Sequence, residues 1–226
     1  MVNELSPVLK YIADATRQDE SIPSISELSS QLGISTASVR EQLEVPKALG
    51  FVEVRTRTGI QKRDFCLTRA LTLSMTYGLS VDPELFHEYS AMRQQLEIAN
   101  WYEACALLEK SHVQELQNLV ERANWKINQR PVIIPTQEHR KFHLTIYRPL
   151  NNRVLNSVLE TYWDLYEASR IYYYRNHEYL ESVWSYHRQM LDAIASKAYE
   201  KGYEALVTHF DLMKTFKKAD LRQRFE

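Results

Sequence analysis

Glycine and proline are scarce in this chain, at 5 and 7 of 226 residues. So few turn formers favour long helices over many short strands. The two cysteines, Cys66 and Cys105, make neither a disulfide framework nor a zinc spacing, so a reducing cytosol is the default compartment. No run approaches the roughly 18 apolar residues of a membrane span. The opening residues, MVNELSPVLKYIAD, lack the basic and apolar blocks of a secretion signal. The expected location is therefore cytoplasmic, with no membrane partner. The net charge is only -1, which excludes a chain that is basic throughout; a surface for nucleic acid must be local. What is present, 44% hydrophobic and 25% charged residues, is ordinary for a globular protein, and the length suits two domains.

Residues 1–65 read as the first domain. Leu5, Val8, Leu9, Ile12 and Ala15 recur as one apolar face of a helix. Gln18 to Ile22 is a polar loop. Ser24 can cap a short helix, with Glu27 as its capping-box partner three residues on. Leu28 and Leu32 form that helix's buried side, and Gly33 follows where a left-handed residue is needed. Ser35 caps a second helix from about Thr36, with Val39 and Leu43 inward. Two short helices joined by a glycine turn make a helix-turn-helix. After Gly50 the period falls to two over Phe51–Arg55 and Ile60–Lys62, with Thr58-Gly59 closing a hairpin. That hairpin is a wing.

Charge follows the same division. From Ile34 to Arg63 six basic residues (Arg40, Lys47, Arg55, Arg57, Lys62, Arg63) face three acids (Glu41, Glu44, Glu53), a net +3. Residues 1–33 carry two basic residues and five acids, a net -3. Positive charge thus collects on the second helix and wing, where the phosphates of double-stranded DNA would lie. A winged helix serving only protein contacts would not need that segregation.

Pro23-Ser24, Glu27-Leu28, Leu32-Gly33, Ser35, Val39-Arg40-Glu41, Leu43, Gly50 and Gly59 together resemble the GntR family of transcription regulators. The resemblance implies a second helix in the major groove and a wing along the minor groove. It also implies Ser35, Thr36, Ser38, Arg40, Arg57 and Gly59 as DNA contacts. Thr36 and Ser26 stand where that family usually has arginine. Arginine grips a guanine edge through two hydrogen bonds and threonine cannot, so a different operator is expected. Pro46 falls where the family continues its helix and, lacking a backbone donor, is expected to kink or end it.

Residues 66–82 read as a connector with an apolar stretch, and 83–220 as about six helices in an antiparallel bundle. The fold class expected is mainly α, a winged helix-turn-helix followed by this all-helical domain. Breaks are expected near Asn128–Pro135, Pro149–Asn152, Arg175–His177 and Lys201-Gly202. Between them Leu96, Ala99, Ala106, Leu107 and Leu116, Leu119, Val120 recur at helical spacing.

The histidines carry the chemistry. His139 and His143, four apart, share a helix face. His187 and His209 are equidistant from residue 198, near the Lys201-Gly202 turn, so they reach similar depth in an antiparallel pair. The four can form one nitrogen-rich metal site, or be buried histidines that only satisfy hydrogen bonds. His87, His112 and His177 fall outside the pattern. Arg93 offers a fork of donors to a carboxylate, or pairs with Glu97 four residues on.

Phe142-His143, Asn151 or Asn152, His187 with Leu191 and Ala193-Ile194, His209, and Arg93 with Leu96-Glu97 resemble the FadR-type C-terminal domain of the metal-binding FCD class. That resemblance implies metal ligands at His139, His143, His187 and His209, a small carboxylate effector, and a homodimer on a two-fold symmetric operator. His139 stands where the family usually has aspartate. Four neutral imidazoles would leave an ion's full charge uncancelled and suit zinc, nickel or copper better than magnesium, so the expected cofactor is a divalent transition metal such as zinc or nickel. A metal-responsive regulator, with the ion as the signal, is a second reading. A metalloenzyme is a third, but Glu138 points about 100 degrees away from His139 and supplies no convincing base. Tyr172-Tyr173-Tyr174 could line a pocket or a dimer face, though helical geometry turns the three in different directions.

Overall fold

The structure is a computed structural model that describes residues 5–55, 58–169 and 177–212. The chain divides into two compact units, Met1–Leu73 and Ser74–Glu226.

In the first unit, α1 (Pro7–Arg17) is capped by Ser6 and buries Val8, Ile12 and Ala15. Leu5, expected on this face, precedes the helix and is 53% exposed. Next come α2 (Ile25–Leu32) and α3 (Thr36–Ala48). The Ser24–Glu27 capping box forms in both directions, and Gly33 closes α2 at φ 65°. That is the left-handed region, which a residue with a Cβ enters at a cost of roughly 1–2 kcal/mol. The Ser35 side chain accepts from the Ser38 backbone and starts α3.

Pro46 does not stop α3, which continues to Ala48. Near the C-terminal end its missing N–H forfeits a single helix bond, and its ring is buried. Two antiparallel strands follow, β1 (Val52–Arg55) and β2 (Gly59–Lys62), with Val52 opposite Lys62 and Val54 opposite Ile60. Gly59 opens β2 opposite Arg55 at φ 70°. Val52 and Ile60 join Val8, Leu28, Val39 and Leu43 in one core. The expected connector is largely helical, as α4 (Thr68–Val81).

The second unit contains α5 (Leu85–Ala106), α6 (Lys110–Ile127), α7 (Thr136–Tyr147), a 3-10 turn (Arg148–Leu150), α8 (Arg153–Ala168), α9 (His177–Ala195) and α10 (Tyr199–Asp211). α9 and α10 pair along their length, α6 packs on α7 and α9, and α5 packs on α7, α8 and α10. Leu116, Leu119 and Val120 are fully buried, as their spacing predicts.

Two expectations change here. No break was anticipated after Ala106, yet α5 ends there and Leu107 is exposed. Of the apolar residues assigned to its inner face, Leu96 is half-buried and Ala99 and Ala106 are exposed. The face that is buried carries Arg93, Glu97, Trp101, Ala104 and Cys105. The last break lies at 196–198 rather than at Lys201-Gly202, which is inside α10. Gly202 serves close packing instead: a Cβ there would sit 2.6 Å from the Trp101 ring and 3.1 Å from the Ala193 Cβ.

Candidate metal centre and nucleic-acid interface

The inner face of α7 buries His139 and His143 alongside Phe142, Ile146 and Tyr147. α9 and α10 bring His187 and His209 to the same depth, because both lie eleven residues from Ala198, within a residue or two of the real turn. All four rings are buried, and the six ring pairs have centroids 4.6 to 5.5 Å apart. One nitrogen from each lies within 4.8 Å of the others.

Hydrogen bonding at the back of two rings orients the front. His187 Nδ1 is 2.7 Å from the Val183 carbonyl oxygen. A carbonyl only accepts, so Nδ1 carries the proton and Nε2 bears the lone pair. His143 Nδ1 is 2.7 Å from Glu97 Oε2 and donates to it in the same way when the carboxylate is ionised. The two Nε2 atoms then face each other at 3.1 Å, lone pair to lone pair. That contact is repulsive unless a cation or a proton lies between them. His139 Nε2 and both ring nitrogens of His209 are buried with no hydrogen-bond partner, and an unsatisfied buried polar atom costs about 1–3 kcal/mol.

Burial holds all four imidazoles below the ordinary 6.5, and neighbouring imidazoles and Arg93 add to it. For His187 burial, with a smaller push from Arg93, brings the value to about 3, against the opposing Val183 bond. The rings are therefore neutral at pH 7 and present lone pairs, as metal ligation requires. This donor set fits a divalent transition metal.

Glu97 is the residue that sequence reasoning undervalued. It accepts from Arg93 Nε at 2.6 Å and from His143, while its backbone carbonyl accepts from the Tyr147 hydroxyl at 2.9 Å. Burial raises its pKa, against the pull of Arg93. Its signals in the sequence were its spacing from Arg93 and its place in the Arg93, Leu96-Glu97 element of the family resemblance, and neither one points to His143. The Arg93–Glu97 pair forms, yet Arg93 Nη2 is buried without an acceptor. The guanidinium lies 4.4 Å over the Trp163 ring and 4.9 Å over Tyr162. His112 instead caps α6 by accepting from the Glu109 N–H, and His177 lies beside Glu181. His87 is not part of the four-histidine group either. A narrow cavity of about 20 Å³, room for about one water, reaches His139 between Ile134, Tyr166, Leu180, Val183 and Trp184.

In the first unit Ser35, Thr36 and Arg40 are exposed on α3, Ser38 is half-buried, and Gly59 is exposed at the wing's turn. Arg57 and Tyr172-Tyr173-Tyr174 lie outside the described residues. Several basic residues counted towards the positive surface are paired: Arg55 and Arg63 with Glu53, Lys62 with Asp19, Lys47 with Glu44. Such exposed pairs contribute only about 0–1 kcal/mol, so phosphates can compete for these cations.

The FCD domain family matches residues 88–212. No curated protein sequence matches the chain. Among solved structures, the fold is similar to that of Streptococcus agalactiae GntR, with a TM-score of 0.60 at 16% identity over 93% of this chain and 98% of that one. Escherichia coli McbR/YncC aligns at TM-score 0.49 and 20% identity, covering 99% of this chain and 100% of that one. A Rhodococcus sp. RHA1 structure described as a putative transcriptional regulator GntR aligns at 0.49 and 15% identity, covering 94% and 100%.

Proposed function

The chain belongs to the FCD domain family, matched over more than half its length, and from that membership we propose that it is a DNA-binding transcription regulator controlled at its histidine centre. The observation that carries this reading is the convergence of His139, His143, His187 and His209, drawn from three helices, on one buried space. These four residues would hold a divalent transition metal such as zinc or nickel. When bound, such an ion supplies a fixed positive charge and an open position for an anionic ligand. Glu97 and the Val183 carbonyl keep His143 and His187 in the tautomer that points Nε2 inward.

The controlling ligand is a small carboxylate. None of the four ligands is an acid, so the charge of a divalent ion there stays uncancelled. Arg93 Nη2, buried and lacking an acceptor, adds a donor for the same anion. Glu138 pairs with Lys126 at 2.8 Å, and Glu97 pairs with Arg93 and with His143 Nδ1, so neither carboxylate is free to act as a general base for hydrolytic chemistry. The protein works as a homodimer on a two-fold symmetric operator, one reading head per half-site. The ligand regulates by binding one arrangement of the heads better than the other.

Zinc or nickel titrated into chelator-treated protein tests the centre: His143→Ala and His187→Ala should abolish tight binding. Unchanged binding in both variants would rule the site out. Operator affinity is then measured metal-free, with metal, and with metal plus candidate acids. A change that needs both metal and acid supports the effector reading. A full response to metal alone supports instead a regulator for which the ion is the signal.

A further inference from the structure

The outward face of α3 is chemically uneven. Val39, Leu43 and Pro46 point into the core, while Thr36, Ala37, Arg40, Glu41 and Glu44 are exposed. The two serines at the start of the helix have their oxygens engaged. Ser35 Oγ accepts from the Ser38 N–H at 3.1 Å, and Ser38 Oγ accepts from Gln42 Nε2 at 3.1 Å. Gln42 Oε1 in turn accepts from the Val8 N–H at 3.2 Å, which ties α3 to α1. The acids fall later in the helix, where Glu44 is held by Lys47 at 2.6 Å. With Glu44 neutralised, Glu41 is the acid there that phosphates would repel, which favours the first turn as the part to enter a groove. This matches the general docking of a helix-turn-helix, whose second helix meets base edges with its N-terminal residues.

The side chains left at that tip are Thr36 and Ala37, with Arg40 one turn on. Thr36 and Ala37 present two methyl groups and no fork of donors, so neither can grip a guanine edge. The one apolar feature of the major groove is the C5-methyl of thymine. We propose that Thr36 and Ala37 together read a thymine methyl in each half-site, making Ala37 a specificity-determining residue. Arg40, which has no ion pair among the described residues, supplies the polar contact beside it. The inference rests on the regulator reading above and adds the identity of a base.

Full-length protein selects its sites from random duplexes, and each thymine of the selected site is then replaced in turn by uracil, which lacks only the methyl. One thymine per half-site should lose about four-fold in affinity, the worth of one buried methyl. In Ala37→Gly and in Thr36→Ser the same replacement should cost clearly less. Both positions are exposed, and circular dichroism verifies that each variant folds. Selective binding with no uracil penalty, or with a penalty undiminished in both variants, overturns this inference alone. Absence of any sequence-selective binding sinks the regulator reading and this one with it.

Discussion

Acidifying chelator-treated protein from about pH 7.5 to about 5.5 should unfold the second unit far more readily than its surface charges explain. Four buried imidazoles are held neutral in the fold, chiefly by burial, and His187 has a value of about 3. In the unfolded chain each titrates near 6.5. The folded values are the lower ones, so below 6.5 the unfolded chain binds more protons, and stability falls as the pH falls. One such histidine loses roughly 1.4 kcal/mol per pH unit below 6.5. Four together lose about 5 kcal/mol by pH 5.5, comparable with the whole stability of a small domain. Glu97 works in the opposite sense, since burial raises its pKa, but it contributes at most one proton against four. A net loss of about 3–5 kcal/mol remains. All four tryptophans, Trp101, Trp125, Trp163 and Trp184, lie in the second unit, so urea melts followed by tryptophan fluorescence report on that unit alone. A midpoint that stays flat between the two pH values would refute the claim that these rings are buried and neutral.

Replacing Glu97 with glutamine removes the charge that orients His143, and zinc affinity measured by calorimetry should fall about 10- to 100-fold while the fold persists. His139→Asp places a carboxylate among three imidazoles, so binding of manganese should strengthen relative to zinc; an unchanged ratio would count against His139 as a ligand. Gly202→Ala should cost about 1–3 kcal/mol in urea melts, because the new Cβ meets the buried Trp101 ring at 2.6 Å. A melt identical to the parent would show that α10 does not pack as closely as described.

Where the sequence was legible, a local rule and the tertiary fold asked for the same residue. Ser24 with Glu27, Gly33, Ser35 and Gly59 each answer a backbone need that no distant contact overrides. The histidine cluster was legible for a geometric reason. His187 and His209 are symmetric about Ala198, and the α9–α10 turn falls at 196–198 even though glycine suggested a later one. Gly202 misled because scarcity of glycine makes each one look like a turn, whereas this one is buried and lets α10 approach Trp101.

α5 failed in the opposite way, and the failure is informative. Apolar periodicity groups Ala99 and Ala106 with Leu96 and Leu107, and it says nothing of Arg93 and Glu97 beyond their four-residue spacing. In the structure Ala99 and Ala106 are exposed, and the face that is buried carries the Arg93–Glu97 ion pair, fully enclosed and hydrogen-bonded to the histidine cluster. Burying such a pair rarely adds stability over apolar residues of the same size. Its presence on the inner face is therefore better explained by what it does for His143 than by what it does for the fold. A departure from patterning at one helix face thus points to the candidate centre, as expected where a sequence gives up local consistency for chemistry. On this argument, replacing both residues with apolar ones of similar volume should leave the helical unit folded while His143 loses the partner that fixes its tautomer.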